Sequence, residues 1–446
     1  MSATSTSVAG VFFQLQSGWS GKMDLLRKEG DFRARVESLR ARRPSCEPPV
    51  FERTEQELAK VAPQLSAIRR HIHQYPELSG QELSTTRYLS KRLAAVRVPH
   101  RVGPGNRGII TETAESAGGA GPLIAMRADI DALPIQEENH VPYRSKNDGV
   151  MHACGHDAHS AMLLGVTIAL HRVSSFPVRW RSIFQPSEEA GRGAAEMIDA
   201  GALDGVDAIV ALHVDPNLEV GMATITPGPR TAFCCDFTIR IEGRGGHGAR
   251  PHLTIDPIAT AAHLISLIYQ AIPRETDARK PMVVTIGAVH AGHASNVIPD
   301  SATLEGTIRT LDSATAASTR ETLERLCSGV GQAFGATVSV AFANLLPGMV
   351  NDLRLSSLIG DVATQMLGSK NVLTGEPPSM GAEDFADYLA VVPGCMIGLG
   401  VKRPRQKATP LHTSTFDIDE AALPIGTQLF AKVLLECATH PTNSAQ

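Results

Sequence analysis

Short apolar runs alternate with stretches of helical periodicity over most of the chain, and this alternation is the feature that most constrains the fold. Four runs bounded by turn residues predict buried strands: Leu123–Ala128, Val178–Phe184, Asp207–Val214 and Met396–Gly400. Apolar residues at helical spacing predict helices at 54–100, Ala161–Leu170, Ala194–Ala200, Leu353–Met366 and Ala421–Glu436. Strands that alternate with helices favour a mostly parallel sheet covered on both faces, so we expect a large α/β domain.

The segment between the third and fourth of these strands has a different order. It predicts strands at Ala232–Ile241, Met282–Val289, Ala302–Thr310 and Ala336–Ala343, with helices at Ile255–Ile272 and Ser313–Phe334. The resulting β-α-β-β-α-β order is that of a ferredoxin-like α+β unit. We therefore expect a small domain at 230–344, inserted into a catalytic domain formed by 51–229 and 345–446.

Residues 1–50 are interpreted as an N-terminal extension, partly disordered or helical. The first 20 residues carry no charged side chain, whereas residues 22–43 are dense in charge and have one narrow apolar stripe at helical spacing. Neither part has the layout of a signal peptide. Pro48-Pro49 is expected to break the chain before the main body starts near residue 51.

Composition excludes several classes of protein. The 446 residues include 46 acidic and 42 basic side chains, and the net charge of −4 argues against a dedicated nucleic-acid-binding protein. The sequence has no run of about 18 apolar residues, so no transmembrane helix is predicted. Seven cysteines form an odd and sparse set, which favours a reducing compartment over a disulfide scaffold. We expect a cytoplasmic protein with no nucleic-acid or membrane partner.

The richest cluster of reactive side chains is Met151–His159, which holds one thiol, three imidazoles and a carboxylate in nine residues. Cys154 and His156, two positions apart around a glycine, offer a thiolate and an imidazole to zinc, manganese, cobalt or nickel. A different interpretation is a helix N-terminus that carries His152, His156 and His159 on one face. The density of donors favours a metal site.

Further candidate residues follow or lie near the ends of predicted strands. They are Asp129, Glu188, Glu189, His213 and His412. Taken singly, each has an ordinary explanation: the two glutamates fit the first turn of a helix capped by Ser187, and either histidine fits a structural position. Because the carboxyl ends of parallel strands meet at one edge of a sheet, the combination predicts a single site. One thiolate, three imidazoles and one or two carboxylates suffice for two adjacent metals with positions left for water.

The inserted segment has candidates of its own. His247 lies in a glycine-rich turn at 243–252, and could donate a hydrogen bond to an oxyanion or be an incidental turn residue. Asn296 could be a turn residue or a donor to a substrate carboxylate. Arg309, at the end of a predicted strand, could bind a carboxylate through two parallel hydrogen bonds or be a surface charge.

Eight motifs carry a resemblance to a known family. They are HIHQYPE at 71–77, RADIDALP at 127–134, MHACGHDAH at 151–159, QPSEE at 185–189, GHGARPH at 246–252, SNVIPDSATLEGTIRT at 295–310, MGAEDF at 380–385 and the pair at 411–412. In this order they resemble the dinuclear-metal amidohydrolase and carboxypeptidase superfamily. The branch resembled is that of aminoacylase, hippurate hydrolase and the plant auxin-conjugate hydrolases.

The resemblance implies roles for the candidate residues. The implied metal ligands are Cys154, which would bridge, His156, Glu189, His213 and His412. Glu188 would be the general base and acid, and Asp129 would orient a metal-binding histidine. The inserted domain would be a lid and dimerisation domain, from which His247 would reach the active site of its own or of a partner subunit. Asn296 would contact the substrate, and Gly381 and Glu383 would lie near the pocket wall.

These roles predict a metal-dependent amidohydrolase that splits an N-acyl-L-amino acid into a carboxylic acid and an amino acid, using a metal-activated water and Glu188 as general base. The expected cofactors are two divalent ions, manganese or zinc, with cobalt or nickel as alternatives. The expected assembly is a homodimer or higher homo-oligomer formed through the inserted domain. Two other functions stay open: a dipeptidase or carboxypeptidase with the same metals, and a binding protein that has lost turnover.

Overall fold

The computed structural model describes residues 48–111, 121–173 and 176–439, so the charged helix predicted at 22–43 lies outside the described residues. The strands in these ranges are β1 His100–Val102, β2 Ile109–Thr111, β3 Leu123–Asp129, β4 Arg179–Gln185, β5 Ala208–Glu219, β6 Ala223–Thr224, β7 Gly228–Pro229, β8 Phe233–Glu242, β9 Gly246–His247, β10 Met282–Ala291, β11 Val297–Ile298, β12 Ser301–Thr310, β13 Thr337–Leu346, β14 Val350–Asn351, β15 Val372–Leu373 and β16 Gly394–Lys402. The α-helices are α1 Pro48–Gln74, α2 Leu83–Ala95, α3 His156–Arg172, α4 Gly193–Asp199, α5 Pro257–Glu275, α6 Ser313–Phe334, α7 Leu353–Leu367, α8 Phe385–Leu389 and α9 Ala422–Thr439.

Eight strands form the larger sheet, in the order β1-β2-β4-β3-β5-β16-β6-β15. Its centre consists of β4, β3, β5 and β16, which are parallel to one another and correspond to the four strands predicted from the apolar runs. The short strands β1 and β2 extend one side of the sheet in antiparallel fashion, and β6 and β15 extend the other. The prediction of a mostly parallel α/β sheet is confirmed.

Helices cover both faces of this sheet. Along β3, Ile124 and Met126 point into a core shared with α1, α3 and α9, whereas Leu123 and Ala125 point into a second core shared with α4 and α8. This alternation follows from the two-residue period of a strand, which sends successive side chains to opposite faces. A strand buried on both faces must be apolar throughout, which is why the sequence shows continuous apolar runs.

The structure differs from the sequence prediction in the first hundred residues. The segment predicted as helical from 54 to 100 forms two helices, because α1 ends at Gln74 and Pro76 disfavours the helical conformation of the residue before it. Helix α1 also begins at Pro48 instead of after the proline pair, since proline is tolerated in the first turn of a helix. The strands of two or three residues and the five-residue α8 are too short for a periodic pattern, and the sequence does not predict them.

The smaller sheet has four antiparallel strands in the order β10-β12-β8-β13. Helices α5 and α6 pack on it around a separate apolar core that includes Phe237, Leu264 and Leu323. Helix α5 begins where the Asp256 carboxylate accepts hydrogen bonds from the backbone N–H groups of Ile258 and Ala259. The predicted β-α-β-β-α-β order is confirmed, while the domain bounds and the lid and dimerisation role stay predictions. No helix in the described ranges is long and apolar enough to cross a membrane.

Candidate metal centre

The five predicted metal ligands converge at the carboxyl edge of the parallel strands. Cys154 and His156 lie at the start of α3, and Glu189 follows the end of β4. His213 lies within β5, and His412 lies in the loop between β16 and α9. Gly155, between the first two, has a φ of +85°, and a side chain there would collide with Val214, so the turn that presents both donors requires glycine.

The donor atoms of these residues lie within a few ångströms of one another. Cys154 Sγ is 3.5 Å from His213 Nε2 and 3.3 Å from His412 Nε2. Glu189 Oε1 is 3.4 Å from His412 Nε2 and 3.9 Å from His156 Nε2. Two donor groups of three result, Cys154–His156–His213 and Cys154–Glu189–His412, each with all its atoms within 4.8 Å of one another. Cys154 belongs to both groups, so its thiol would be shared if each group held an ion.

Two buried atoms of this cluster have no hydrogen-bond partner in the described part of the chain, namely His156 Nε2 and Glu189 Oε1. An unpaired buried polar atom is costly, so such atoms indicate a site made for a ligand. Nδ1 of His213 lies 2.9 Å from the Val214 carbonyl oxygen and donates a hydrogen bond to it. The lone pair of Nε2 is then available to bind a metal ion. The residues present therefore fit divalent metal ions.

Asp131 holds two of the candidate ligands, a role that the sequence motif does not indicate. Its carbonyl oxygen lies 2.9 Å and its Oδ1 3.2 Å from Nδ1 of His156, which turns Nε2 toward the cluster. Its Oδ2 accepts the backbone N–H of Glu189 at 3.0 Å and the hydroxyl of Ser79 at 2.7 Å. The RADIDALP motif contains this residue, but nothing in the motif says which of its two aspartates faces the histidine.

The resemblance implies that Asp129 orients a ligand histidine, and the structure places Asp129 against His159. Its Oδ1 is 2.6 Å from His159 Nδ1, while His159 Nε2 accepts the backbone N–H of Val214 at 2.9 Å. Both ring nitrogens of His159 are thus engaged, and burial lowers the pKa of His159 to about 4, which keeps the ring neutral. The other carboxylate oxygen of Asp129 lies 3.6 Å from Nε2 of His156, on the side of the donor cluster.

The electrostatics of the cluster favour a cation. Burial alone raises the pKa of the Cys154 thiol, but the charges of His156 and His213 outweigh burial and lower it to about 6. Burial lowers the pKa of His213, yet the Cys154 thiolate raises it to about 9. The contact with the Cys154 thiol and the nearby Glu189 carboxylate raise the pKa of His412 to about 10. Negative charge on the thiolate and the carboxylate therefore draws positive charge to this point.

Glu188 lies beside the donor cluster and is only 9 % exposed. Its Oε2 is 3.9 Å from His156 Nε2, and its carboxylate lies within 4.8 Å of those of Glu383 and Asp384. Burial, together with these two carboxylates, raises the pKa of Glu188 well above its ordinary value. Arg127 offsets part of the negative charge, because its Nη2 lies 3.1 Å from Glu383 and 2.9 Å from Asp384. Glu188 is thus a buried carboxyl group that keeps its proton to a higher pH than an exposed glutamate does.

Of the remaining candidates, His247, Asn296 and Arg309 lie in the smaller domain, and Gly381 follows it in the chain. His247 and Asn296 are neighbours on β9 and the turn before β11, where the Gly248 N–H donates to the Asn296 carbonyl oxygen at 2.9 Å. Within the described ranges no hydrogen bond or ion pair joins either side chain to the metal ligands. Arg309 donates to the Met380 carbonyl oxygen at 3.1 Å, and the Gly381 carbonyl accepts the Ala232 N–H at 3.0 Å. Arg309 and Gly381 therefore mark the junction between the small sheet and the loop that carries Glu383.

Comparison with known proteins agrees with this geometry. Residues 125–436 match the model of peptidase family M20/M25/M40. Over 367 residues the chain is 38 % identical to an N-acetyl-L-cysteine deacetylase of Bacillus subtilis, covering 82 % of this chain and 86 % of that protein. It is 35 % identical over 373 residues to an IAA-amino acid hydrolase of Arabidopsis thaliana, covering 82 % of this chain and 84 % of the relative.

A solved structure gives the same result for the fold. The chain superposes with a TM-score of 0.74 on a dinuclear metal binding peptidase of the M20 family from Bacillus subtilis. The two are 35 % identical, and the match covers 84 % of this chain and 98 % of the other. The resemblance drawn from the eight motifs is confirmed, and so are the α/β fold class and the class of enzyme.

Proposed function

This chain belongs to peptidase family M20/M25/M40 and is a metal-dependent amidohydrolase, and from that premise we propose that it cleaves N-acyl amino acids to a carboxylic acid and an amino acid. The observation that carries the proposal is the thiol of Cys154, shared by two donor groups beside the buried carboxyl group of Glu188. Two relatives named for N-acetyl-L-cysteine and for IAA-amino acid support this substrate class.

We assign five residues as ligands of two divalent ions: Cys154, His156, Glu189, His213 and His412. The short distances among their donor atoms and the unpaired atoms of His156 and Glu189 support the assignment. Sulfur, nitrogen and oxygen donors together suit manganese or zinc, with cobalt or nickel as alternatives. When bound, such ions polarise a carbonyl group and lower the pKa of a coordinated water.

Glu188 is assigned as the group that moves the proton. It would take a proton from the attacking water and return it to the nitrogen of the leaving amino acid. Its burial and its carboxylate neighbours support this role, because they raise its pKa and so make it a better proton acceptor than an exposed glutamate. Arg127 would offset the negative charge of Asp129 and of the carboxylates next to Glu188.

The substrate contacts assigned to the smaller domain complete the proposal. His247 would donate to the oxyanion, and Asn296 and Arg309 would bind the substrate, with Gly381 at the pocket wall. Since no hydrogen bond or ion pair in the described ranges joins His247 or Asn296 to the proposed metal ligands, they would act through closure of the small domain or from a partner subunit. A homodimer formed through this domain fits strand β10, which ends the small sheet and exposes Val283 and Val289. The cytoplasmic location stays a prediction.

The test is amine release from a panel of N-acyl amino acids and dipeptides. The purified protein would be stripped with a chelator and reloaded separately with manganese, zinc, cobalt or nickel, and Glu188→Gln would serve as the control that keeps the ligands. We expect metal-restored cleavage of acyl amino acids and about 10²- to 10⁴-fold slower turnover in the variant. Cleavage of dipeptides alone would identify a peptidase. Tight metal binding without any turnover would identify a binding protein.

A further inference from the structure

Ser187, the residue before Glu188, has an unusual backbone conformation. Its φ is +57°, in the left-handed region that residues with a side chain seldom adopt. Such a conformation persists only where the surrounding structure holds it. Here the backbone N–H of Ser187 donates to Glu82 Oε1 at 2.8 Å, and Arg107 Nη1 donates to the Ser187 hydroxyl at 3.0 Å.

Glu82 lies directly before α2, yet its side chain does not cap that helix. It is fully buried, at 0 % exposure, and its Oε1 accepts the N–H groups of Gly80 at 2.9 Å and of Ser187. Another carboxylate caps the helix, since Glu77 accepts the N–H of Ser84 at 3.0 Å and that of Thr85 at 2.7 Å. The burial of Glu82 therefore has no explanation in the helix that it precedes.

We propose that Glu82 is a positioning residue for Glu188, which it orients by fixing the backbone of Ser187. The inference rests on the proposed function, in which Glu188 transfers the proton. The backbone on the other side of Glu188 is fixed as well, because the Glu189 N–H donates to Asp131 at 3.0 Å. Two carboxylates thus hold the N–H groups on either side of Glu188, and this limits the directions in which its carboxyl group can point.

The consequence for catalysis is a loss of rate without a loss of substrate affinity. Glu82 contacts neither the metal ligands nor any residue assigned to the substrate, so its replacement should leave KM within about twofold. A displacement of a reacting group by about 1 Å can cost about 100-fold in rate, so Glu82→Ala should lower kcat about 10- to 100-fold. Glu82→Gln, whose amide oxygen can still accept the Ser187 N–H, should retain more of the rate than Glu82→Ala.

The matched control is Glu77→Ala, which removes a half-buried carboxylate whose side-chain hydrogen bonds, within the described ranges, go to Ser84 and Thr85 at the start of α2. Both alanine variants should lose thermal stability, but only Glu82→Ala should lower kcat. The substitutions would also be made in the Glu188→Gln background, where Glu82→Ala should have no further effect on the residual rate. An equal loss of kcat in the two alanine variants, or an additive loss in the Glu188→Gln background, would overturn the inference.

A second measurement does not depend on activity. Amide hydrogen exchange of the peptide that covers residues 187–189 should become at least about tenfold faster in Glu82→Ala and stay unchanged in Glu77→Ala. Unchanged exchange in both variants would show that Glu82 does not hold Ser187. If the unmodified enzyme releases no amine from any substrate, the proposed function fails, and the exchange experiment still decides whether Glu82 fixes this backbone.

Discussion

Cys154 Sγ lies 3.3 Å from His412 Nε2, although 258 positions separate the two residues in the chain. The loops that carry them are also tied by their backbones, because the His412 N–H donates to the Ala153 carbonyl oxygen at 2.8 Å. His412 has a φ of +60°, and its side chain is 51 % exposed. The last member of the donor cluster therefore lies on a solvent-exposed loop that packs against the start of α3.

Because Cys154 belongs to both donor groups, we predict that its loss affects both of the proposed metal ions. Cys154→Ser replaces a thiol, whose pKa is lowered to about 6, with a hydroxyl that does not ionise near neutral pH. We expect loss of bound metal after dialysis against a weak chelator, and a loss of turnover of about 100-fold or more. Metal content by elemental analysis measures the first effect. Cys234→Ser, at a buried cysteine of the small sheet, should keep full metal content, and equal metal content in the two variants would contradict the assignment.

Asp131 should control how tightly metal is held, since it orients His156 and fixes the backbone of Glu189. Asp131→Asn preserves the shape of the side chain but removes its charge. Mutation of a residue that orients metal ligands typically weakens the affinity for metal about 10- to 100-fold. We expect a weakening of that size in a competitive titration with a metal indicator. The exposed Asp148 provides the control Asp148→Asn, for which no change is expected. Equal affinities in all three proteins would rule out this role of Asp131.

Arg69 and Arg70 are neighbours in α1 and offer a matched comparison of buried and exposed ion pairs. Arg69 is fully buried and lies 2.8 Å from Asp157 and 2.9 Å from Asp417, whereas the Arg70 side chain is 47 % exposed and pairs with Glu420. Removing one partner of a buried pair leaves an uncompensated charge, so Arg69→Met should lower the free energy of unfolding by about 3–5 kcal/mol. Arg70→Met should lower it by about 0–1 kcal/mol. Urea unfolding measures both, and similar midpoints would contradict the difference in burial.

Asp417 should contribute to the acid sensitivity of the fold. Burial raises the pKa of Asp417, but the charge of Arg69 and hydrogen bonds from Arg403 and Arg69 outweigh burial and lower it below the ordinary value. Because the folded pKa is the lower one, the stabilisation is present above the unfolded pKa of about 3.9 and is lost as pH falls through the folded pKa. Asp417→Asn should therefore be less stable than the unmodified protein at pH 7, and the difference should shrink below about pH 4.

Urea unfolding between pH 3 and pH 7 would measure this dependence. The exposed Asp361 in α7 gives the control Asp361→Asn, which should remain close to the unmodified protein at every pH. A difference between Asp417→Asn and the unmodified protein that stays constant over the whole range would show that Asp417 does not titrate differently in the folded state.

The sequence alone determined the central strands, the β-α-β-β-α-β order of the small domain and the grouping of the residues proposed as metal ligands. These features depend on local periodicity and on the rule that parallel strands bring their carboxyl ends to one edge. For this reason the sequence suffices to group Cys154, His213 and His412. Proline effects were also local, but the periodic pattern at 54–100 concealed the break before Pro76.

The tertiary structure alone decided which hydrogen-bond partner each acidic side chain has. Asp131, not Asp129, faces Nδ1 of His156, and Glu82 reaches Ser187 across 105 positions of chain. Such contacts depend on how α2 and α3 are placed against the sheet and on the path of the loops after each strand. Packing fixes those placements through many weak contacts spread over the core, so no short motif records them. The residue types indicate the chemistry of the site. Only the tertiary structure determines which partner each carboxylate contacts.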